Sequence, residues 1–371
     1  MMLSQEEILR YDRQLKVAAI GVAGQEKLKM ARVLIIGAGG LGCPVLQYLA
    51  AAGVGNITVI DGDNVSESNL QRQILFTHTD IGKSKSQTAA LKASEMNPYI
   101  NVSFIHEFLS VQKALTVFES YDLIIDCCDN FGTRYLVNDV CLLYKLPFIS
   151  SALFRTEAQF GIFNVLMNNG TFSSCYRDFF PESAKSNTVL DCNEAGVVAT
   201  LPGIMGLYQA NEAIKYLIQK ENCSINKIMI FNCWDLSHFF LNINPSSNVR
   251  RITREHIEST QYHLPCSTSP DKIIDIHELL NLISSPETVI VDVREEHEVP
   301  LVMTPNIHRL PLSILETKIA FFENINSVIF VCKSGIRSKK ALDLLESKYP
   351  NKYFYSFKHG IETLLQYLPQ T

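Results

Sequence analysis

The feature that most constrains this chain is the run Gly37-Ala38-Gly39-Gly40-Leu41-Gly42, which closes the apolar strand pattern Val33 to Gly37 and opens a helical pattern. Glycine lets a turn tighten and lets backbone approach a phosphate. The helix that follows offers unpaired N–H groups and the positive end of its dipole. About twenty residues on, Asp61 closes a second strand, Ile57 to Ile60, where an acidic group can hold a ribose hydroxyl. A strand, turn, helix and strand in this order begin a parallel sheet.

Further apolar strands alternate with helical patterns at Val102 to Ile105, Leu123 to Asp126 and Phe148 to Ser151, the pattern of a doubly wound α/β sheet. Phe160 to Met167 reads as an antiparallel strand, and Lys227 to Cys233 with Phe239 to Ile243 as a pair, giving an antiparallel extension. Between them Thr200 to Gln219 is helical in period and opens near Pro202. Residues 244–270 are polar, hold Pro245, Pro265 and Pro270, and show no sustained period, so they read as a linker. A second, smaller α/β pattern follows: a helix at Ile274 to Ile283, strands at Val289 to Val293, Val328 to Val331 and Tyr353 to Ser356, and a helix at Ser338 to Lys348. A length of 371 residues also exceeds one ordinary core. The expected division is 1–243, linker 244–270, and 271–371.

The charge balance, 33 Lys and Arg against 38 Asp and Glu, lacks the basic excess by which a general nucleic-acid binder neutralises phosphates. Residues 1–14 carry Glu6, Glu7, Arg10, Asp12 and Arg13 and no apolar core, unlike a secretory signal. No charge occurs from Val33 to Ile60, yet six glycines and Pro44 divide that stretch into pieces too short to span a bilayer. The expected location is cytoplasmic. There, ten cysteines serve as core residues, ligands or reactive thiols more often than as disulfides. Cys43, Cys127, Cys128 and Cys141 have apolar surroundings and read as core.

The glycine turn alone would suit a nicotinamide or flavin enzyme. The next motifs shift the balance: Ser68-Asn69-Leu70-Gln71-Arg72-Gln73, then Lys85, then Asp129-Asn130 supply two cations, a carboxylate and several amides to one nucleotide site. Hydride transfer does not need that cluster; moving phosphate charge does. An NAD-dependent oxidoreductase remains the alternative, as does a binding or regulatory protein that keeps the fold without turnover.

These motifs, with Arg10-Tyr11-Asp12-Arg13-Gln14, the glycine turn before Cys43, Ala52 to Gly55, Asp61-Gly62-Asp63 and Cys192-Asn193-Glu194-Ala195-Gly196-Val197, resemble the molybdopterin-synthase and thiamine-biosynthesis adenylyltransferase family, relatives of ubiquitin-activating enzymes. The resemblance spans residues 4–243 and implies a Rossmann-like domain that activates the C-terminal glycine of a ubiquitin-like sulfur carrier with ATP and Mg²⁺. It implies that Gly40 and its neighbours Gly37, Gly39 and Gly42 cradle ATP, that Asp61 holds the ribose, and that Asn69, Arg72 and Lys85 contact phosphates. Asp129 would hold Mg²⁺, with Asp63, Ser68, Gln73 and Asn130 lining the same site. Arg13 resembles an arginine that reaches the ATP of a partner subunit, which implies a homodimer. Cys192 resembles a cysteine that in some members forms a thioester or acyl-disulfide with the carrier, while other members make no use of it.

Cys332-Lys333-Ser334-Gly335-Ile336-Arg337-Ser338 follows a buried strand and leads into a helix. A thiol ringed by N–H groups at a helix N-terminus and flanked by Lys333 and Arg337 is expected to be acidified and to stabilise an anionic persulfide. The loop resembles the active loop of single-domain rhodaneses, and Asp292-Val293-Arg294-Glu295 resembles their upstream Asp-x-Arg element. That implies a C-terminal rhodanese-like domain taking sulfur from a persulfide or thiosulfate. One departure is Glu298 to Leu310, which lacks the usual Gly-His-Ile-Pro-Gly-Ala-like segment before Pro311-Leu312-Ser313. A second concerns the zinc that many relatives hold with two Cys-x-x-Cys pairs. Here Cys175 is followed by Asp178 and Cys266 by Ser269 where the second cysteines would stand, so no zinc is expected.

Overall fold

The structure is a computed structural model that describes residues 2–181, 196–246, 252–260, 262, 272–283, 288–299, 307–323, 325–333, 335–346, 348–349, 352–365 and 367. The chain divides into two compact units, Met1–Ser267 and Thr268–Thr371.

The first unit is built on an eight-stranded sheet: β1 (Arg32–Ile36), β2 (Asn56–Ile60), β3 (Asn101–Ile105), β4 (Leu123–Asp126), β5 (Phe148–Phe154), β6 (Glu157–Phe163), β7 (Lys227–Asn232) and β8 (His238–Asn242). Their order is β3-β2-β1-β4-β5-β6-β7-β8. The first five are parallel and the last three run antiparallel in turn. Four consecutive residues of β1, Val33 to Ile36, are buried, as a central strand covered on both faces requires.

Among the described residues the α-helices are α1 (Gln5–Arg10), α2 (Asp12–Leu15), α3 (Gly21–Met30), α4 (Gly42–Ala52), α5 (Lys85–Met96), α6 (Val111–Val117), α7 (Phe131–Tyr144), α8 (Tyr176–Phe179), α9 (Thr200–Gln219) and α10 (Arg254–Ser259). Leu46 of α4, Ala89 of α5 and Met205 of α9 join the core on one face of the sheet. Leu115 of α6 and Leu136 of α7 join the other. The chain leaves β1 toward β2 and β3, then returns to β4 on the opposite side. The crevice beyond the carboxyl ends of β1 and β4 is therefore the switch point at which such sheets bind ligands.

Some boundaries differ from expectation; β5, for one, runs on to Phe154. The strand read from Phe160 runs from Glu157 and stops at Phe163, because Asn164 turns to φ 57° and its side-chain amide donates to the carbonyls of Cys141 and Leu146. The expected linker carries α10, which Thr253 caps and whose Ile257 is wholly buried in the first unit. Tyr262 beyond it donates its hydroxyl to the buried Asp139 at 2.6 Å.

Among the described residues the second unit has five parallel strands, β9 (Ile273–Ile274), β10 (Thr288–Asp292), β11 (Ile307–Arg309), β12 (Ser327–Val331) and β13 (Tyr353–Phe357), in the order β11-β10-β12-β13-β9. Its helices are α11 (Ile276–Ile283), α12 (Ile336–Glu346) and α13 (Ile361–Leu365). Leu342 of α12 packs on one face of the sheet, and Leu279 of α11 with Leu364 of α13 on the other. The helix expected from Ile274 begins at Ile276, since Ile273 and Ile274 pair with β13 instead. Among the described residues, no helix is long and apolar enough to cross a membrane.

Candidate active site

At the switch point lies a cleft of about 1140 Å³, lined by Gly37, Gly39, Gly40, Asp61, Asp63, Ser68, Asn69, Arg72, Gln73, Lys85, Asp129 and Asn130, among others. Local geometry explains the glycine turn. Gly37 sits at φ +95°, and a Cβ there would lie 2.9 Å from the Cys127 carbonyl oxygen. Gly42 does not line the cleft; a Cβ on it would meet the Gly37 carbonyl oxygen at 2.0 Å, so its part is to let α4 start against the turn.

Asp61 accepts the Ala38 N–H at 2.7 Å and the Asp63 N–H at 2.8 Å, fastening the glycine turn to the end of β2. Burial pushes its carboxyl above the ordinary value, against the pull of Lys85 and those two amides. Lys85, 6% exposed at the start of α5, pairs with Asp63 at 2.8 Å and is thereby held at the cleft wall. Arg72 donates to the Ser68 carbonyl at 3.1 Å. Asn69 and Asn130 also serve local structure: Asn69 Oδ1 accepts the Ser66 N–H, and Asn130 caps α7 through the Thr133 N–H. Gln73 is buried, and among the described residues its Oε1 has no hydrogen-bond partner, an acceptor on the cleft wall that a bound ligand could satisfy.

The wall that carries Asp129 depends on a pair of residues the sequence reading did not single out. Asp126, wholly buried at the end of β4, accepts from Arg134 Nε at 2.9 Å, from the Ser150 hydroxyl at 2.6 Å and from the Cys128 N–H at 3.0 Å. Arg134 Nη2 then donates to the carbonyls of Cys128 and Ser151, each at 2.9 Å. Such a buried charge pair fixes the 127–130 turn in one position. The signal was available: an arginine in the first turn of a mostly apolar helix, close after an aspartate that ends an apolar strand. Cys127 and Cys128 are buried as expected, yet they also line the cleft, and burial raises both thiols well above the ordinary range.

The ThiF family matches residues 11–253, which include every element of this cleft. The chain belongs to the ThiF family. Similar proteins include the probable adenylyltransferase/sulfurtransferase MoeZ of Mycobacterium tuberculosis, 36% identical over 92% of this chain and 88% of that protein. The adenylyltransferase and sulfurtransferase UBA4 of Meyerozyma guilliermondii is 33% identical over 92% of this chain and 85% of its own. Among solved structures, E. coli MccB with ATP superposes with a TM-score of 0.55 at 26% identity, over 64% of this chain and 72% of that one.

Arg13 of this ThiF-family chain is exposed and does not line the cleft of its own chain. Cys192, Asn193, Glu194 and Ala195 lie outside the described residues, as does Cys266. Cys175 is wholly buried; its N–H donates to Asp178 Oδ2 at 2.8 Å, while Asp178 Oδ1 accepts the Ser246 N–H at 3.0 Å. Burial pushes the Cys175 thiol up to about 12. The Asp178 carboxylate thus joins the 175–178 turn to residue 246 by hydrogen bonds.

In the second unit Cys332 follows β12 and is wholly buried, with Sγ 3.5 Å from the Ser338 hydroxyl. Gly335, at φ +83°, gives the loop its sharp turn into α12 at Ile336. Ser334 lies outside the described residues. Lys333 is exposed, but Arg337 differs from expectation: it is held by Glu298 through two contacts, one at 2.9 Å. Arg337 in turn draws the Glu298 carboxyl down to about 2. Its charge is thus shared with Glu298, from the segment that departs from the rhodanese pattern. The Asp292–Arg294 pair is buried, with Nη2 to Oδ2 at 2.7 Å, and sits where β10 lies beside β12.

Proposed function

We propose that this chain adenylates the C-terminal glycine carboxylate of a small ubiquitin-like sulfur carrier ending in Gly-Gly, and that its second unit supplies sulfur to make the thiocarboxylate. What supports this most is the gathering of Arg72, Lys85 and Asp129 beside one glycine turn at the switch point. The chain's likeness to an adenylyltransferase/sulfurtransferase over 92% of its length supports it independently.

In the first step a carrier carboxylate oxygen bonds to the α-phosphorus of ATP while the bond to the bridging oxygen breaks, giving acyl-adenylate and pyrophosphate. The N–H groups of the glycine turn and of the α4 N-terminus face the phosphates. Lys85, held ready by Asp63, and Arg72 neutralise the charge that grows on the leaving oxygens. Asp129 is exposed in the cleft and fits Mg²⁺, which takes one or two carboxylate oxygens and keeps water and phosphate as its other ligands. Bound there, Mg²⁺ supplies charge neutralisation for the departing pyrophosphate. Arg13 would reach the cleft of a second copy, so the working unit is a homodimer.

In the second step the Cys332 thiolate takes the sulfane sulfur of a persulfide or thiosulfate donor, which leaves as thiolate or sulfite. The resulting persulfide attacks the acyl carbon and AMP departs. A second thiol then cleaves the S–S bond, releasing thiocarboxylate and leaving a disulfide. The adenylation step is tested by ATP–pyrophosphate exchange that appears with a Gly-Gly-ended carrier and vanishes when the last glycine is removed. Absence of exchange with any such carrier, together with tight NAD binding, would return the chain to the oxidoreductase reading.

A further inference from the structure

We propose that Ser338 is a further catalytic residue for sulfur transfer: its hydroxyl turns from a backbone carbonyl to the Cys332 sulfur when that sulfur is anionic, and Ser356 holds it in position. The inference rests on the reading of Cys332 as the thiol that carries sulfur.

Both serines are buried, Ser338 at 0% and Ser356 at 1% exposure, where packing alone would accept alanine. Buried hydroxyls are costly unless bonded, and these are bonded to each other: Ser356 Oγ on β13 donates to Ser338 Oγ on α12 at 2.9 Å. A hydroxyl has one proton and two lone pairs. With one lone pair occupied by Ser356, the Ser338 proton has two acceptors in reach, the Gly335 carbonyl at 2.9 Å and Cys332 Sγ at 3.5 Å. The bond to Gly335, three residues earlier in the chain, is a local helix-start contact that any serine there could make. It explains neither Ser356 nor the sulfur at hydrogen-bond distance on the other side.

As a neutral thiol, Cys332 can donate S–H to Ser338 Oγ while Ser338 donates to Gly335. Once the proton leaves, Ser338 O–H can swing to the sulfur and make a charge-assisted bond, which is about twice as strong as a neutral one. Arg337 also acts on the sulfur electrostatically, but it shares its charge with Glu298. Arg294 is paired with Asp292, and Lys333 points into solvent. Lys358 and Glu295 stand on neighbouring segments, with the Glu295 carboxylate accepting from the Ser313 hydroxyl at 2.7 Å. The step stays balanced: Cys332 S⁻ bonds to the terminal sulfur of a donor R–S–SH, the donor S–S bond breaks, R–S⁻ leaves, and Cys332–S–SH forms.

The test is alkylation of Cys332 by iodoacetamide across a pH series in the full chain, followed on its own peptide by mass spectrometry, for wild type, Ser338→Ala and Ser356→Ala. Ser338→Ala should slow alkylation about tenfold on the acid side while leaving the alkaline plateau unchanged, one charge-assisted hydrogen bond being worth about that factor. Ser356→Ala should act in the same direction and less. A rate profile unchanged in Ser338→Ala overturns the inference, whatever its melting temperature does. Sulfur loading of wild-type Cys332 from a small-molecule persulfide, measured alongside, reports separately on the function: no loading would refute the role of Cys332 even if the profile shifts.

Discussion

Replacing Arg134 with methionine keeps an unbranched apolar stem and removes the guanidinium and its charge. Asp126 would then be a wholly buried carboxylate left with the Ser150 hydroxyl and the Cys128 N–H, and the Cys128 and Ser151 carbonyls would lose their donor. Breaking a buried pair from one side costs about 3–5 kcal/mol, a large share of a stability of about 5–15 kcal/mol. The double variant Asp126→Asn with Arg134→Met removes the stranded charge and should recover at least about 1 kcal/mol of that loss. Urea unfolding followed by circular dichroism measures both, with the slope of the first-unit transition unchanged. Because the same arginine holds the turn that presents Asp129, pyrophosphate exchange should lose kcat more than it gains in KM for ATP. If Arg134→Met costs under about 1 kcal/mol and exchanges at the wild-type rate, the pair positions nothing.

Lys85→Ala should slow pyrophosphate exchange on the order of 10² or more, as loss of a group that stabilises transition-state charge does; an exchange rate near wild type would reduce Lys85 to a tether for Asp63. Asp80 is buried, which raises its carboxyl, but Lys92, the Thr77 N–H and hydroxyl, and Lys83 together pull it below the ordinary range. Its contribution is therefore present above the ordinary carboxylate pKa and lost as pH falls through the depressed one, so Asp80→Asn should flatten the acid limb of a melting-temperature profile. An acid limb as steep as wild type would contradict this. Purified protein should carry less than one tightly bound zinc per chain; stoichiometric zinc that survives dialysis against chelator would show that the Cys175 turn binds metal after all.

Much of the first unit was legible because its constraints are steric and local. Only glycine fits at 37 and 42, and a β1 that is apolar from Val33 to Ile36 has no place except the centre of a sheet. Asn164 was not legible, since a left-handed residue ends β6 within a run that remains apolar at Val165 and Leu166. Nor was α10: it buries a single apolar residue, Ile257, and one residue shows no period. The start of α11 could have been found, for Asp275 and Glu278 exchange side-chain bonds with each other's N–H groups, the sequence mark of a helix beginning after Ile274. At the site, the residues with charge in open loops were found from their motifs. Asp126 and Arg134 left a local signal that went unused, while the roles of Ser338 and Ser356 depend on neighbours brought from other strands and helices.

The most direct test of the account separates the two units in one reaction. Wild-type protein and Cys332→Ala are each incubated with ATP, Mg²⁺, carrier and a persulfide donor, and the carrier is weighed intact while pyrophosphate exchange is followed. Removing one thiol in the second unit leaves the phosphate cleft of the first untouched, so exchange should be equal in both proteins. Wild type should convert carrier to a form in which sulfur replaces one oxygen, and Cys332→Ala should stop at the adenylate. Thiocarboxylate formed by Cys332→Ala at the wild-type rate would contradict the central claim that this chain couples adenylation in one unit to sulfur delivery from the other.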